Sequence, residues 1–331
     1  MNRAMKFLPL LLAFFCSRAF AQTHLLDDRQ LQNNLGLQNY FPVAGGFGKL
    51  SVAVFDNGFN GFEPGADLLP KNAELIESPV NAPLPDDHGL GMAQILWGLL
   101  GRPLDGPKFY LMNTNGFSNL KFAVKFAIEK KVDIILYSQN WTFGSNFVGE
   151  GFIAAEAKKA SDAGIIWLNS AGNFHDLVYQ AKVLPLEVRS GQAALPGPGN
   201  TLRFRNRLDS NNVTVTLTWN DFTDSEFYSS AKDFDLQIFN ELGTLLGTAD
   251  KIQEGRGPDG PDDTRRSSHA REILSLKLKL GSYSLRVISK SKNFTAQDQF
   301  RIILQTDKTG SLEFMDKDSL SKVQTSLAAI A

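Results

Sequence analysis

The stretch Val52-Ala53-Val54-Phe55-Asp56-Asn57-Gly58 decides the fold class of the first half of the chain. Four apolar residues end in an aspartate, and Asn-Gly then supplies a turn. An apolar run bounded by turn residues is typical of a strand buried on both faces. Open α/β sheets present functional groups at the carboxyl ends of such strands, so Asp56 is a candidate site residue. On these residues alone, an ordinary turn remains the alternative.

Short apolar runs alternate with segments of helical period around this stretch. Strands are predicted over residues 50–55, 108–113, 132–137 and 164–170. Helices are predicted over residues 88–100, 119–131 and 149–162. The alternation of strands and helices predicts an α/β fold, with a parallel sheet and flanking helices.

The pattern changes to a period of two beyond Pro185, after the turn-rich residues 191–199. Val213-Thr214-Val215-Thr216-Leu217-Thr218-Trp219 alternates apolar residues with threonine. Further strands are predicted over residues 234–239, 273–280, 283–288 and 300–305, with a hairpin turn at Gly281-Ser282. Residues 186–306 are therefore predicted to form an antiparallel β-sandwich domain.

Two more motifs follow Asp56 in the α/β half. Asp86-Asp87-His88-Gly89-Leu90-Gly91 places a histidine at the start of an apolar helix. Ile165-Ile166-Trp167-Leu168-Asn169-Ser170-Ala171-Gly172-Asn173 ends a buried strand with Ala-Gly-Asn. By themselves, His88 could be a capping or core residue and Asn173 a turn residue. Their order after Asp56 is what favours a shared site.

Together these segments resemble the subtilisin-like serine protease family over about residues 50–173. The strand-borne aspartate, the His-Gly helix start and the Ala-Gly-Asn segment occur in that family in this order. Residues 132–138 also resemble the strand that lines the family's substrate groove. The resemblance implies a partial subtilisin-like peptidase domain at residues 22–185. It also implies that Asp56 orients His88, that His88 acts as general base, and that Asn173 stabilises the oxyanion.

The sequence departs from the family at the nucleophile. The family's Gly-Thr-Ser-x-Ala segment is not present, and Gln324-Thr325-Ser326-Leu327-Ala328 is the nearest approach. Only five residues follow Ser326, which is fewer than two helical turns. A helix that short is unstable by itself. Residues 307–331 are predicted to be a C-terminal tail. We therefore expect a peptidase relative that lacks its nucleophile segment and is inactive alone.

The predicted β-sandwich resembles the pre-peptidase C-terminal type of β-domain. The resemblance is carried by Trp219-Asn220-Asp221 and Asp233-Phe234-Asp235-Leu236. Asp221, Asp233 and Asp235 could coordinate calcium through carboxylate oxygens, although aspartates at strand ends are commonly just solvated. No other cofactor is expected.

The N-terminus has the pattern of a secretory signal peptide, residues 1–21. Arg3 and Lys6 precede an apolar run, and Ala19-Phe20-Ala21 fits a cleavage site. The single cysteine, Cys16, lies within this segment, so the mature chain is expected to contain no disulfide. The protein is thus predicted to be secreted or periplasmic.

Charge and hydropathy limit the partners. The 34 Lys and Arg residues nearly balance the 35 Asp and Glu residues, and no basic stripe is evident, which argues against nucleic acid. After the signal, no apolar stretch approaches the ~20 residues of a transmembrane helix. The expected partner is a polypeptide substrate or a peptide ligand. The alternative is a non-catalytic secreted protein that binds peptide or glycan, with Trp141, Trp167 and Trp219 as candidate contacts, although core positions suit all three.

Overall fold

The computed structural model describes residues 28–37, 47–65, 68–80, 86–145, 149–174, 176–226, 230–253, 267 and 269–316. The chain divides into two compact units, Met1–Asn115 and Gly116–Ala331. Within the described ranges, no helix combines the length and the apolar character needed to cross a bilayer. The predicted signal peptide lies outside these ranges.

The first unit contains three parallel strands. They are β1 (Ser51–Asp56), β2 (Glu74–Ile76) and β3 (Lys108–Asn113). β3 is central and pairs with β1 from Ser51↔Lys108 to Asp56↔Asn113, and with β2 through Leu75↔Leu111. All residues of β1 after Ser51 are buried, as expected for a strand covered on both faces.

Among its described residues, this unit has the helices α1 (Asp28–Asn34) and α2 (His88–Leu99). The side-chain amide of Gln32 in α1 donates hydrogen bonds to the carbonyls of Gly98 and Leu99, at 3.1 and 3.2 Å. Carbonyls in the last turn of a helix lack the usual partner four residues further on, so Gln32 helps to cap α2, together with the Gly101 backbone amide, which donates to the Gly98 carbonyl at 2.9 Å. Gly101, with φ of 75°, then ends the helix in the left-handed conformation.

The second unit begins with a short α/β segment. It comprises α3 (Phe117–Glu129), β4 (Ile134–Tyr137), α4 (Phe152–Asp162) and β5 (Ile166–Asn169). β4 and β5 pair in parallel, from Ile134↔Ile166 to Tyr137↔Asn169. The sequence-based prediction of parallel strands connected by helices is therefore confirmed.

The remainder of the second unit forms two antiparallel sheets, with the short helix α5 (Pro185–Arg189) before them. One sheet has the order β11-β8-β13-β6. Its strands are β6 (Val178–Lys182), β8 (Asn211–Trp219), β11 (Arg271–Leu278) and β13 (Gln299–Gln305). The other sheet has the order β10-β9-β12-β7-β14. Its strands are β7 (Leu202–Asn206), β9 (Phe234–Asn240), β10 (Leu245–Ala249), β12 (Gly281–Ser289) and β14 (Leu312–Phe314).

Aromatic side chains join these two sheets. Trp219 of β8 meets Phe234 of β9 edge to face, with ring centroids 5.5 Å apart, and Phe234 also packs on Phe300 of β13 at 6.0 Å. All three rings are fully buried. The predicted fold class, an α/β part plus an antiparallel β-sandwich, is therefore confirmed.

The predicted hairpin at Gly281-Ser282 is wrong. β11 pairs with β8, whereas β12 pairs with β7 and β9 of the other sheet. Because both edges of β12 are already occupied, the chain crosses between the sheets at Lys279-Leu280 instead of turning back. The carbonyl of Lys279 accepts hydrogen bonds from the Tyr283 hydroxyl and the Asn206 amide, each at 2.8 Å.

The sandwich and the α/β segment of the second unit share an aromatic cluster. The Phe152 ring at the start of α4 lies 5.1 Å from the His269 ring and 6.0 Å from the Phe222 ring. The backbone amide of Gly151 donates to Asp224 at 3.0 Å. Strand β6 precedes the predicted sandwich range 186–306 and β14 follows it. The division into domains at residues 22–185 and 186–306 stays a prediction.

Candidate functional site

Asp56 occupies the last position of β1. Its side chain has no exposed surface. The carbonyl of Asp56 accepts hydrogen bonds from the backbone amide and the hydroxyl of Thr114, at 2.7 and 3.2 Å, just beyond the end of β3. The carboxylate accepts another from the backbone amide of Asn57 at 2.7 Å. The parallel strands thus fix both the backbone and the carboxylate at the carboxyl edge of the sheet.

His88 is the first residue of α2, and its ring meets this carboxylate. Nδ1 lies 2.9 Å from Oδ2 and 3.0 Å from Oδ1 of Asp56. The backbone amide of His88 donates to Asp86 Oδ1 at 2.9 Å. His88 is therefore held both by its backbone amide and by its ring, while 54% of its side chain remains exposed.

This arrangement has a defined chemical consequence. A carboxylate can only accept, so a neutral His88 ring bonded to it carries its proton on Nδ1. The lone pair is then on Nε2, where an incoming hydroxyl or water can lose a proton to it. Asp56 also stabilises the imidazolium formed by that transfer. Asp56 and His88 thus have the geometry of an oriented general base.

Two glycines allow the close approach of α2 to β1. The backbone amide of Gly89 donates to the carbonyl of Gly58 at 3.0 Å. A Cβ atom at Gly89 would lie 2.6 Å from Asp56 Cβ and 2.7 Å from the Gly58 carbonyl oxygen, and one at Gly58 would lie 2.3 Å from the carbonyl oxygen of Asp86. The helix start can therefore reach the end of β1 only without side chains at these two positions.

Thr114 was not among the residues predicted for the site. It is buried and contacts the Asp56 backbone directly. Its signal in the sequence is a polar residue immediately after a buried strand, at the same sheet edge as Asp56. Gly58 and Gly89 appear in the quoted motifs, but their role depends on contacts that sequence spacing does not reveal.

Asn173 belongs to the second unit, in the segment after β5, and its side chain is exposed. The neighbouring segments after β4 and β5 are connected by hydrogen bonds. The Asn140 side chain bonds Ser170 Oγ at 2.9 Å, and the Asn169 amide donates to the carbonyl of Gln139 at 3.3 Å. The predicted groove residues Ser138-Gln139-Asn140 are thus adjacent to the base of the Asn173 segment. The oxyanion role of Asn173 stays a prediction.

The other candidates from the sequence are Ser326 and the three tryptophans. Ser326 and the tail lie outside the described residues. Trp219 is fully buried, and its indole N–H donates to Ser230 Oγ at 3.1 Å, which makes it a core residue. Trp167 and Trp141 are partly buried. Trp141 donates to the Tyr137 hydroxyl at 2.5 Å, and the Trp167 ring packs on Tyr137 with centroids 5.5 Å apart.

Two of the three aspartates considered for calcium, Asp221 and Asp235, are engaged in protein contacts. Asp221 Oδ2 accepts from Ser230 Oγ and from the amides of Ala231 and Lys232, at 2.7, 2.7 and 3.1 Å. Asp235 pairs with the Lys290 ammonium at 3.4 Å. Among the described residues, no group of three or more His, Cys, Asp or Glu side chains is arranged to hold a metal ion. Calcium at Asp221, Asp233 and Asp235 stays a prediction.

Glu272 and His269 are among the sandwich residues with strongly shifted pKa values. Burial raises the pKa of Glu272 to about 8, and the charges of Asp235 and Asp233 act in the same direction. Burial lowers the pKa of His269 to about 4, aided by the positive charge of Arg271. The His269 ring contacts Phe143 and Phe152 at 5.2 and 5.1 Å, and the Arg271 guanidinium covers Phe143. His269 is therefore a neutral packing residue.

Comparisons with known proteins give no family assignment. No protein-family model matches the chain, and a search of curated proteins gives no match. Among solved structures, the pre-peptidase C-terminal domain of a collagenase from Bacillus anthracis is 10% identical, with 40% of this chain and 90% of that one covered, at a TM-score of 0.22. AlgX from Pseudomonas aeruginosa is 12% identical, with 78% of this chain and 48% of that one covered, at 0.24. Because these scores are low, they carry no argument about function.

Proposed function

We propose that this protein is a secreted relative of the subtilisin-like serine proteases, in which Asp56 and His88 are the base half of a peptide-hydrolysing centre. The observation that carries the proposal is the distance of 2.9 Å between His88 Nδ1 and the buried Asp56 carboxylate, at the carboxyl edge of parallel strands. The order of the sequence motifs and the exposed face of the His88 ring support it. Polypeptides are the proposed ligands.

We propose further that the chain alone does not hydrolyse peptides. Peptide hydrolysis in this family requires a serine hydroxyl beside the general base, and the sequence contains no Gly-Thr-Ser-x-Ala segment. We expect no cleavage of unstructured peptides and no labelling by a serine-directed fluorophosphonate probe. Covalent labelling mapped to Ser326 would overturn this part of the proposal.

The base itself is testable without a serine. An imidazole with a free Nε2 lone pair attacks activated esters, so the purified chain should hydrolyse p-nitrophenyl acetate through His88. The variant His88→Gln should lower this rate about tenfold or more. Asp87→Asn is the matched control, because Asp87 is exposed and adjacent in sequence, and its side chain makes no capping hydrogen bond. Equal rates for wild type and His88→Gln would refute the proposal.

A further inference from the structure

A cavity lies at the amino-terminal ends of the first unit's strands, opposite the ends that carry Asp56 and Thr114. Gly48 precedes β1, Asn72 precedes β2 and Gly106 precedes β3, and all three residues line the cavity. Its volume is about 530 Å³. Small-molecule sites commonly have volumes of roughly 300–1,000 Å³, so this cavity is large enough for a compact organic ligand.

Three of the lining residues are charged. Lys71 and Arg102 contribute positive charges, and Asp105 contributes one negative charge. All three residues are exposed. The lining therefore has an excess of positive charge, which favours an anion, while Asp105 disfavours ligands with several negative charges.

Apolar groups form the rest of the lining. The lining residues Trp97 and Leu69 are buried, with exposures of 7% and 5%, whereas the lining residue Leu104 is fully exposed. A Cβ atom at Gly106 would lie 2.3 Å from the Trp97 ring, so the backbone closes directly over the indole. The lining therefore offers a ligand both apolar and charged groups.

We propose that this cavity binds a small organic monoanion, a carboxylate attached to an apolar body. The carboxylate would interact with Lys71 and Arg102, and the apolar body would lie against Trp97 and Leu104. Such a site would be separate from Asp56 and His88, because it lies at the amino edge of the same strands. It does not depend on the proposed peptidase relationship.

Calorimetric titration of the full chain with 3-phenylpropionate tests the proposal. We expect saturable binding that weakens at higher salt, with 3-phenylpropanamide binding about fivefold more weakly because it lacks the charge. Lys71→Gln should weaken binding of the anion about threefold, and Arg102→Asn should do the same. Asparagine is chosen because Arg102 has φ of 49°, a left-handed conformation that asparagine tolerates.

Asp105→Asn is the matched charge variant with the opposite expected sign. Removing its negative charge should tighten binding of 3-phenylpropionate about twofold to threefold. All three positions are exposed, and circular dichroism would verify the fold of each variant. No saturable heat up to about 10 mM ligand, equal binding of the amide, or equal effects of Asp105→Asn and Lys71→Gln would overturn the proposal.

Discussion

Asp56 and Glu272 are both buried carboxyl groups on β-strands, yet they meet different partners. Asp56 faces the exposed His88 ring at 2.9 Å and accepts a backbone amide at 2.7 Å. Glu272 accepts a hydrogen bond from the neutral Gln253 amide, and burial raises its pKa to about 8, with the nearby carboxylates acting in the same direction. Burial of an acid therefore does not identify a site. The candidate site is where a titratable ring with an accessible face reaches the buried carboxylate.

The largest expected effect comes from blocking that approach. Gly89→Ala places a Cβ atom 2.6 Å from Asp56 Cβ, so α2 must shift away from β1. We expect a loss of about 3 kcal/mol in the free energy of unfolding, measured by urea titration. The His88-dependent ester rate should fall as well.

Gly91→Ala is the control for this substitution. Gly91 lies in the same helix, and no atom is within 4 Å of the position that its Cβ would take. Alanine there should stabilise the protein by about 0.5–1 kcal/mol through helix propensity. A similar loss for both variants would contradict the role assigned to the Gly89 contact.

The titration of Glu272 should be visible in the pH dependence of the free energy of unfolding. The folded pKa of Glu272, about 8, exceeds its ordinary value of 4.5, so its contribution is present at low pH and is lost as pH rises toward 8. The lowered pKa of His269, about 4 against 6.5, has the opposite effect but acts below pH 6.5. Between pH 6.5 and 8 we expect Glu272 to reduce the free energy of unfolding by about 2 kcal/mol.

The variant Glu272→Gln tests this expectation, because it removes the titrating group and keeps the side-chain shape. Urea titrations at pH 6.5 and 8 should show a smaller difference in stability for the variant than for wild type. If the difference is the same for both proteins, Glu272 does not titrate in this window.

Substitutions of the two carboxyl groups should also have different effects on ester hydrolysis. Asp56→Asn removes the negative charge and replaces one acceptor oxygen with an NH2 donor, which can favour the wrong tautomer of His88. We expect about a tenfold loss in the His88-dependent hydrolysis of p-nitrophenyl acetate. Glu272→Gln should leave that rate within about twofold, because the carboxylate bonded to the His88 ring is that of Asp56, whereas Glu272 bonds Gln253. A normal rate for Asp56→Asn would show that the carboxylate does not assist the ring.

Local sequence patterns predicted the principal helices and strands well. The apolar runs at β1 and β3 and the helical pattern at α2 differ from the observed bounds by at most one residue. The pairing of His88 with Asp56 was also predictable, because the order of motifs resembled a known family. The glycine contacts that permit the pairing depend on the approach of a helix to a strand, and spacing alone does not give it.

Some strands and strand pairings of the sandwich were not predicted correctly. Leu202-Arg203-Phe204-Arg205-Asn206 alternates clearly but was not predicted as strand β7. β14 has only three residues, too few for a period to be recognised. The wrong hairpin at Gly281 arose because adjacent strands joined by a short turn usually pair, and only the partners of β12 on both edges exclude it.

The smallest expected effect concerns how helices end in the two units. Both α2 and α3 end in a Schellman motif, with hydrogen bonds from Arg102 N to Trp97 O and from Val132 N to Ala127 O, at 3.2 and 2.9 Å. The first left-handed residue after α2 is Gly101, whereas after α3 it is Lys131, with φ of 53°. A side chain is strained in this conformation, although glycine loses more backbone entropy on folding.

Lys131→Gly should therefore stabilise the protein by about 0.5–1 kcal/mol, measured as a shift of the urea midpoint without a change in slope. Gly164→Ala is the reciprocal control. Gly164 ends α4 in the same way, with φ of 85°, and no atom lies within 4 Å of the position that its Cβ would take, so alanine there introduces strain without a clash. It should destabilise by about 1 kcal/mol. Opposite changes in the free energy of unfolding for the two substitutions would show that backbone conformation causes the effect. A loss of stability for Lys131→Gly would mean that the lysine side chain stabilises the end of α3 by more than its strain costs.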